Sequence, residues 1–281
     1  MNEKDTFAFT GEAMFRTSYK KGVSEPELQR LLRRLHTLAW QTATECCGAP
    51  PKSVEGLLQL MRLVLAEERI TLKHGEPLKD VVLIPRKETL SLQARKILDG
   101  GMESDILHRR VVVGLATERE RFEKDDSEVW QIAGVDAACS IRVLRRHLPS
   151  REWRGHLCAL CVQNEPDGMV TTRKVIETYL HPYRCAWLDS FCEYIVYDKM
   201  VRMGLQPEKP LEPMVEFEGY KPDFVVRGFG SPIVIEVWGM AESNAEYRCH
   251  MEDKQGVYRA MEQAGVLRLF DGASSATGNP D

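Results

Sequence analysis

Hydrophobic positions change their period several times along the chain, and each change marks an element. Leu28, Leu31, Leu32, Leu35 and Leu38 recur at helical spacing behind a start signal, with Ser24 as N-cap and Pro26 in the first turn. Gly48-Ala49-Pro50-Pro51 breaks that helix. Val54, Leu57, Leu58, Leu60, Met61 and Leu65 carry a second, and the two predict an antiparallel helical hairpin. Around Gly75-Glu76-Pro77 the pattern turns extended. Strands are predicted at 81–84 and 111–113, with 128–132 pairing to the latter across a charged loop at 118–126. Ile141, Leu144 and Leu148 predict a helix, 153–162 another, and 170–180 a strand.

The last third is the most regular. Residues 187–205 read as a helix apolar nearly all round, and therefore buried. Phe224-Val225-Val226 and Ile233-Val234-Ile235 read as strands around the turn chemistry of Gly228-Phe229-Gly230-Ser231-Pro232. A helix from about 243 to 263 turns Tyr247, Met251, Lys254, Tyr258 and Met261 toward the sheet, and 266–270 closes as a strand. The order there is helix, three strands, helix, strand. The fold class is α/β: a helical region at 1–72 that opens on an arm (1–23), a mixed α/β region at 73–183, a core at 184–270 and a disordered tail at 271–281.

Composition narrows the class without naming a chemistry. The 281 residues hold one large or two small domains, and 43% hydrophobic with 28% charged residues is ordinary for a globular chain. A net charge of −4 argues against polyanion binding by the whole surface, while leaving room for a local basic groove. Arg30, Arg33 and Arg34 on the first helix read as a solvated face before a phosphate-tracking one. Several of the 8 cysteines fall inside apolar helical patterns and no secretory segment precedes them, so a reducing cytoplasm is expected. No apolar run approaches the ~20 residues of a membrane span. His156, Cys158 and Cys161 lack the second ligand pair of a structural zinc site, and the cysteines read as buried helix residues.

Chemistry concentrates on the C-terminal hairpin. With the turn centred on Phe229 and Gly230, Asp223 and Glu236 stand opposite each other on one face, Cβ atoms about 5 Å apart. Like charges so close repel, and a cation between them relieves the repulsion. Oxygen ligands on a sheet suit Mg²⁺ or Mn²⁺, and such a metal suits phosphodiester hydrolysis. Two further groups invite two readings each. Glu193, on an apolar helix, is either paired with a neighbouring cation or a third acid reaching that metal. Lys254, on the inward stripe, either snorkels to an edge or meets an anion.

Pro222-Asp223, Glu236-Val237-Trp238 and the upstream Glu193, set in this order of elements, resemble the PD-(D/E)XK nuclease superfamily over roughly the last third of the chain. Glu-Val-Trp-Gly with the downstream Tyr247 and Lys254 resembles branches carried by bacterial mobile and conjugative elements. The resemblance implies a restriction-endonuclease-like α-β-β-β-α-β core and a Mg²⁺-dependent (or Mn²⁺-dependent) endonuclease acting on DNA. Asp223, Glu236 and the Val237 carbonyl would hold the metal, and Glu193 would position metal or water. The lysine slot two residues after Glu236 holds Trp238, a departure. Lys254 becomes the substitute cation, with Arg248 and His250 as lesser candidates. The alternative is a catalytically inactive DNA-binding or assembly subunit. Expected partners are DNA, the proteins of a DNA-processing complex and, since restriction-type nucleases often dimerise, a second copy.

Overall fold

The computed structural model describes residues 5–7, 27–67, 70–72, 77–86, 110–122, 126–148, 156–164, 170–210, 213–238 and 245–273. The chain is mixed α/β and divides into two compact units, Met1–Cys185 and Ala186–Asp281.

In the first unit, β1 (Asp5–Phe7) pairs in parallel with β2 (Ile70–Leu72). Helices α1 (Glu27–Cys47) and α2 (Val54–Ala66) pack together as the periodicity predicts, burying Leu28, Leu31, Leu32 and Leu35 against Leu57, Leu58 and Met61. Gly48, at φ +68, ends α1 by donating its N–H to the Thr44 carbonyl, and the Ser53 hydroxyl caps α2 at the Gly56 N–H. The expected cap at Ser24 and first-turn Pro26 lie outside the described residues. Arg30 is exposed, but Arg33 and Arg34 are half-buried, so the arginine face is not uniformly solvated.

The middle of the chain is a barrel. After β3 (Val82–Leu83) come β4 (Arg110–Phe122), β5 (Ser127–Ala133), β6 (Ala138–Leu144), β7 (Leu157–Asn164) and β8 (Val170–Leu180). The neighbours run β4-β5-β6-β8-β7, and β4 pairs with β7 as well as β5, which closes the ring. All pairings in the ring are antiparallel except β6 with β8. This is the strand order of small Greek-key barrels of the oligonucleotide-binding type, an architecture that by itself assigns no ligand. Strand β4 changes partner near Leu115, beside a register shift at Ala116/Glu118. Gly114 lies at that corner, where a Cβ would stand 2.4 Å from the Ala133 carbonyl oxygen.

Several expectations are corrected here. The helix predicted from Ile141, Leu144 and Leu148 is β6 followed by a single 3₁₀ turn, Arg145–His147. Ile141 and Val143 alternate into the core, a period of two. The helix at 153–162 is β7, whose residues 157–162 are all buried, so the alternation that would announce a strand is absent. Cys158 lies in the barrel core and Cys161, three strand positions on, points away from it, so the two cannot share a metal. The charged loop begins as strand: β4 runs to Phe122, with Arg119 4.5 Å from the Trp130 ring and 2.6 Å from Glu177.

The second unit holds β9 (Trp187–Leu188), α3 (Phe191–Arg202), β10 (Pro207–Glu208), β11 (Phe224–Val226), β12 (Ile233–Trp238), α4 (Ala245–Gln263) and β13 (Arg268–Ala273). Its sheet runs β10-β11-β12-β13, with only the last pair parallel. The long helix expected over 187–205 is shorter and buries one face only: Glu193, Tyr197 and Met200 are buried, Ile195 exposed. Strand β13 continues to Ala273, so 271–273 belong to the sheet rather than to a tail. Helix α4 packs Tyr258 and Met261 with Val225, Val234 and Leu267, while Tyr197 of α3 meets Phe224 with ring centroids 5.5 Å apart. The sheet is thus covered on both faces.

Candidate active site

The hairpin register sets the site. Phe224 pairs with Ile235, Val225 with Val234 and Val226 with Ile233, around a turn that puts Gly228 at φ +97 and Gly230 at φ +83. One step further, Asp223 and Glu236 face each other, on the same side as Val225 and Val234, which is the side α4 covers. The ladder stops there for a chemical reason. The next partner of Val237 would be Pro222, which has no N–H. The Val237 N–H donates instead to Asp223 Oδ2, at 2.7 Å. Because the N–H and C=O of one strand residue leave the strand on the same side, the Val237 carbonyl is expected on that edge too, where Pro222 has no N–H to offer.

Glu236 is almost wholly buried, and Lys254 Nζ of α4 lies 2.7 Å from its Oε2. The same ammonium is 5.6 Å from the Trp238 ring and 5.8 Å from that of Tyr258. Trp238 therefore fills the space two residues after Glu236 while the helix supplies the cation. Burial first, then the Asp223 charge, pushes the Glu236 carboxyl up to about 8, with Lys254 pulling the other way. Burial and the neighbouring Glu236 likewise raise Tyr258 above the usual phenol range. Glu236 Oε1 and Tyr258 Oη complete no hydrogen bond of normal geometry, although Glu236 is close enough to raise the Tyr258 ionisation. Arg248 is exposed, and the side chains of Tyr247 and His250 lie outside the described residues.

Glu193 is engaged elsewhere. Ser190 caps α3 through the Glu193 N–H at 3.1 Å, and Glu193 Oε2 takes the Asp189 N–H at 3.1 Å and the Lys209 ammonium at 2.5 Å. The neighbouring-cation reading of Glu193 describes these contacts, and the approach of Glu193 to Asp223 runs through Lys209, which lies 4.0 Å from Asp223 Oδ1. Burial pushes Glu193 up, opposed by Lys209 and helped by Asp223 and Asp189. The Ser190-x-x-Glu193 spacing of a capping box was the signal for this local role. Nothing in the pattern announced Lys209, which follows a two-residue strand in Pro207-Glu208-Lys209-Pro210.

Lysines already answer the acids. Asp189, Glu193, Asp223 and Glu236 are met by Lys209, Lys221 and Lys254. Among the described residues no group of three or more His, Cys, Asp or Glu side chains gathers as a metal cage. What fits a metal is narrower: two carboxylates on one face, a buried Glu236 oxygen with no donor, and a carbonyl facing a proline. Mg²⁺ commonly takes one or two carboxylates and completes its shell with water and phosphate. Among the described residues no helix is long and apolar enough to cross a membrane. No protein-family model and no curated protein matches the chain.

Proposed function

We propose that the second unit is a Mg²⁺- or Mn²⁺-dependent nuclease core of the PD-(D/E)XK kind that hydrolyses DNA phosphodiester bonds. In this reading the chain serves a DNA-processing system of a bacterial mobile element, and the first unit presents DNA or a partner protein. The observation that carries it is the meeting of Asp223 and Glu236 on one sheet face with the Lys254 ammonium 2.7 Å from Glu236. The order helix, three strands, helix, strand supports it. Asp223, Glu236 and the Val237 carbonyl would hold the ion, which supplies an activated water and charge neutralisation at the phosphate. Lys254, which meets Glu236 at 2.7 Å, would supply positive charge beside the attacked phosphate. Trp238 and Tyr258 wall the site and keep bulk water from Lys254.

Cleavage of single- and double-stranded DNA in Mg²⁺ or Mn²⁺ tests this. Asp223→Asn and Glu236→Gln should each abolish it, and activity surviving in both would falsify the reading. Two features favour a second reading, a non-catalytic DNA-binding or assembly subunit: lysines pair with the acids, and Trp238 stands in the lysine slot. Tight DNA binding with no Mn²⁺ uptake would select it.

A further inference from the structure

Lys209 has no role in the motif reading, yet its side chain is only 3% exposed, against 10% for the Lys254 side chain that meets Glu236. It comes one residue after β10, whose pairing places it opposite Phe224, and its ammonium lies 5.3 Å from that ring. Pro210 follows, which confines the Lys209 backbone to extended conformations and fixes where the side chain starts. Three carboxylates surround the ammonium: Glu193 at 2.5 Å, Asp189 at 3.2 Å and Asp223 at 4.0 Å. Asp189 is itself fixed, accepting from the Trp187 indole N–H at 2.8 Å, and Lys221 also reaches it at 3.5 Å.

We infer that Lys209 is a positioning residue of the metal site, which rests on the nuclease reading above. Held by Glu193 and Asp189, its ammonium faces Asp223 Oδ1 while the Val237 N–H holds Oδ2, so the carboxylate plane is fixed from two sides. A lysine that merely neutralised Glu193 would need no third acid, and Asp223 is exposed enough (18%) to be solvated without it. Glu193 then acts on the metal site at one remove, as the anchor of Lys209. Groups that orient a metal-binding carboxylate matter to the metal itself, typically 10–100-fold in affinity or activity.

The experiment compares Mn²⁺ binding by calorimetry in the full chain for wild type, D223N, E193Q and K209M/E193Q. The double variant removes both charges of the pair, so no lone buried ion remains. Should it fail to fold, K209Q/E193Q carries the same comparison with an amide in the pocket. The expected result is that K209M/E193Q binds Mn²⁺ about 10–100-fold more weakly than E193Q, with kcat for DNA cleavage falling and KM unchanged. Equal Mn²⁺ affinity in E193Q and K209M/E193Q, with binding abolished in D223N, overturns the role of Lys209 and leaves the nuclease reading intact. Wild-type affinity in D223N removes the metal from Asp223, and the nuclease reading falls together with the inference.

Discussion

Lys254 and Glu236 form the tightest test of how much of this site is structure and how much is chemistry. Their contact, 2.7 Å between Nζ and Oε2, is nearly dry, with side-chain exposures of 10% and 1%. Removing one partner of such a pair leaves a buried charge that must be neutralised or solvated, whereas removing both is often tolerated. Lys254→Met should therefore destabilise the metal-free protein by on the order of 3 kcal/mol in urea unfolding. Lys254→Met/Glu236→Gln should recover most of that loss. DNA cleavage should be absent in both. If the double variant is no more stable than the single one, the pair is not the coupled unit its geometry describes. A raised Glu236 gives the same pair a second consequence. Until a divalent ion arrives, the carboxyl holds a proton more readily than a solvated glutamate would.

Among the elements, β4 makes the strictest demand on sequence. It serves two neighbours, β7 over Arg110–Leu115 and β5 over Leu115–Phe122, and can do so only by bending where Gly114 lets the Ala133 carbonyl approach. Gly114→Ala places a methyl 2.4 Å from that oxygen, so backbone must move. A loss of about 1–3 kcal/mol is expected, as for overpacking generally, read as a lower urea midpoint with the second unit's metal affinity unchanged. The bend also explains what could be read from the sequence and what could not. The C-terminal hairpin has a short turn marked by glycines, so its register followed from the turn centre although both faces are buried, and the Asp223–Glu236 meeting with it. Helix α4 was legible through its stripe, including Lys254. The barrel was not, because β7 is buried on both sides and reads like a helix, while the charges of β4 read like a loop. Lys209 was hidden for another reason: two residues of β10 carry no period, and the lysine's meaning depends on partners 16 and 20 positions upstream and 14 downstream.

Across the molecule, the two units have separate cores and should answer differently to acid. In the first unit, His36 of α1 is fully buried and donates from Nε2 to the Cys185 carbonyl at 2.7 Å. Cys185 sits at φ +51, a left-handed conformation unusual for a residue with a side chain, so the histidine ties the helix to a strained turn at the unit's end. Burial, against a smaller opposing effect of that hydrogen bond, lowers the His36 pKa from 6.5 to about 4. The sign follows. Between those values the unfolded histidine binds a proton that the folded one refuses, so protons favour unfolding there. The stabilising contribution is complete above pH 6.5 and is lost as the pH falls through about 4. The loss amounts to about 3 kcal/mol for a shift of this size. His36→Gln keeps an N–H donor for Cys185 and removes the titration. Urea unfolding of wild type and variant from pH 7.5 to 4 should give curves that converge as the pH drops, because carboxylate contributions common to both cancel. Curves that stay parallel would mean that His36 is solvated or charged in the folded state. The clamp between α1 and Cys185 would then have to be held by something other than a neutral imidazole.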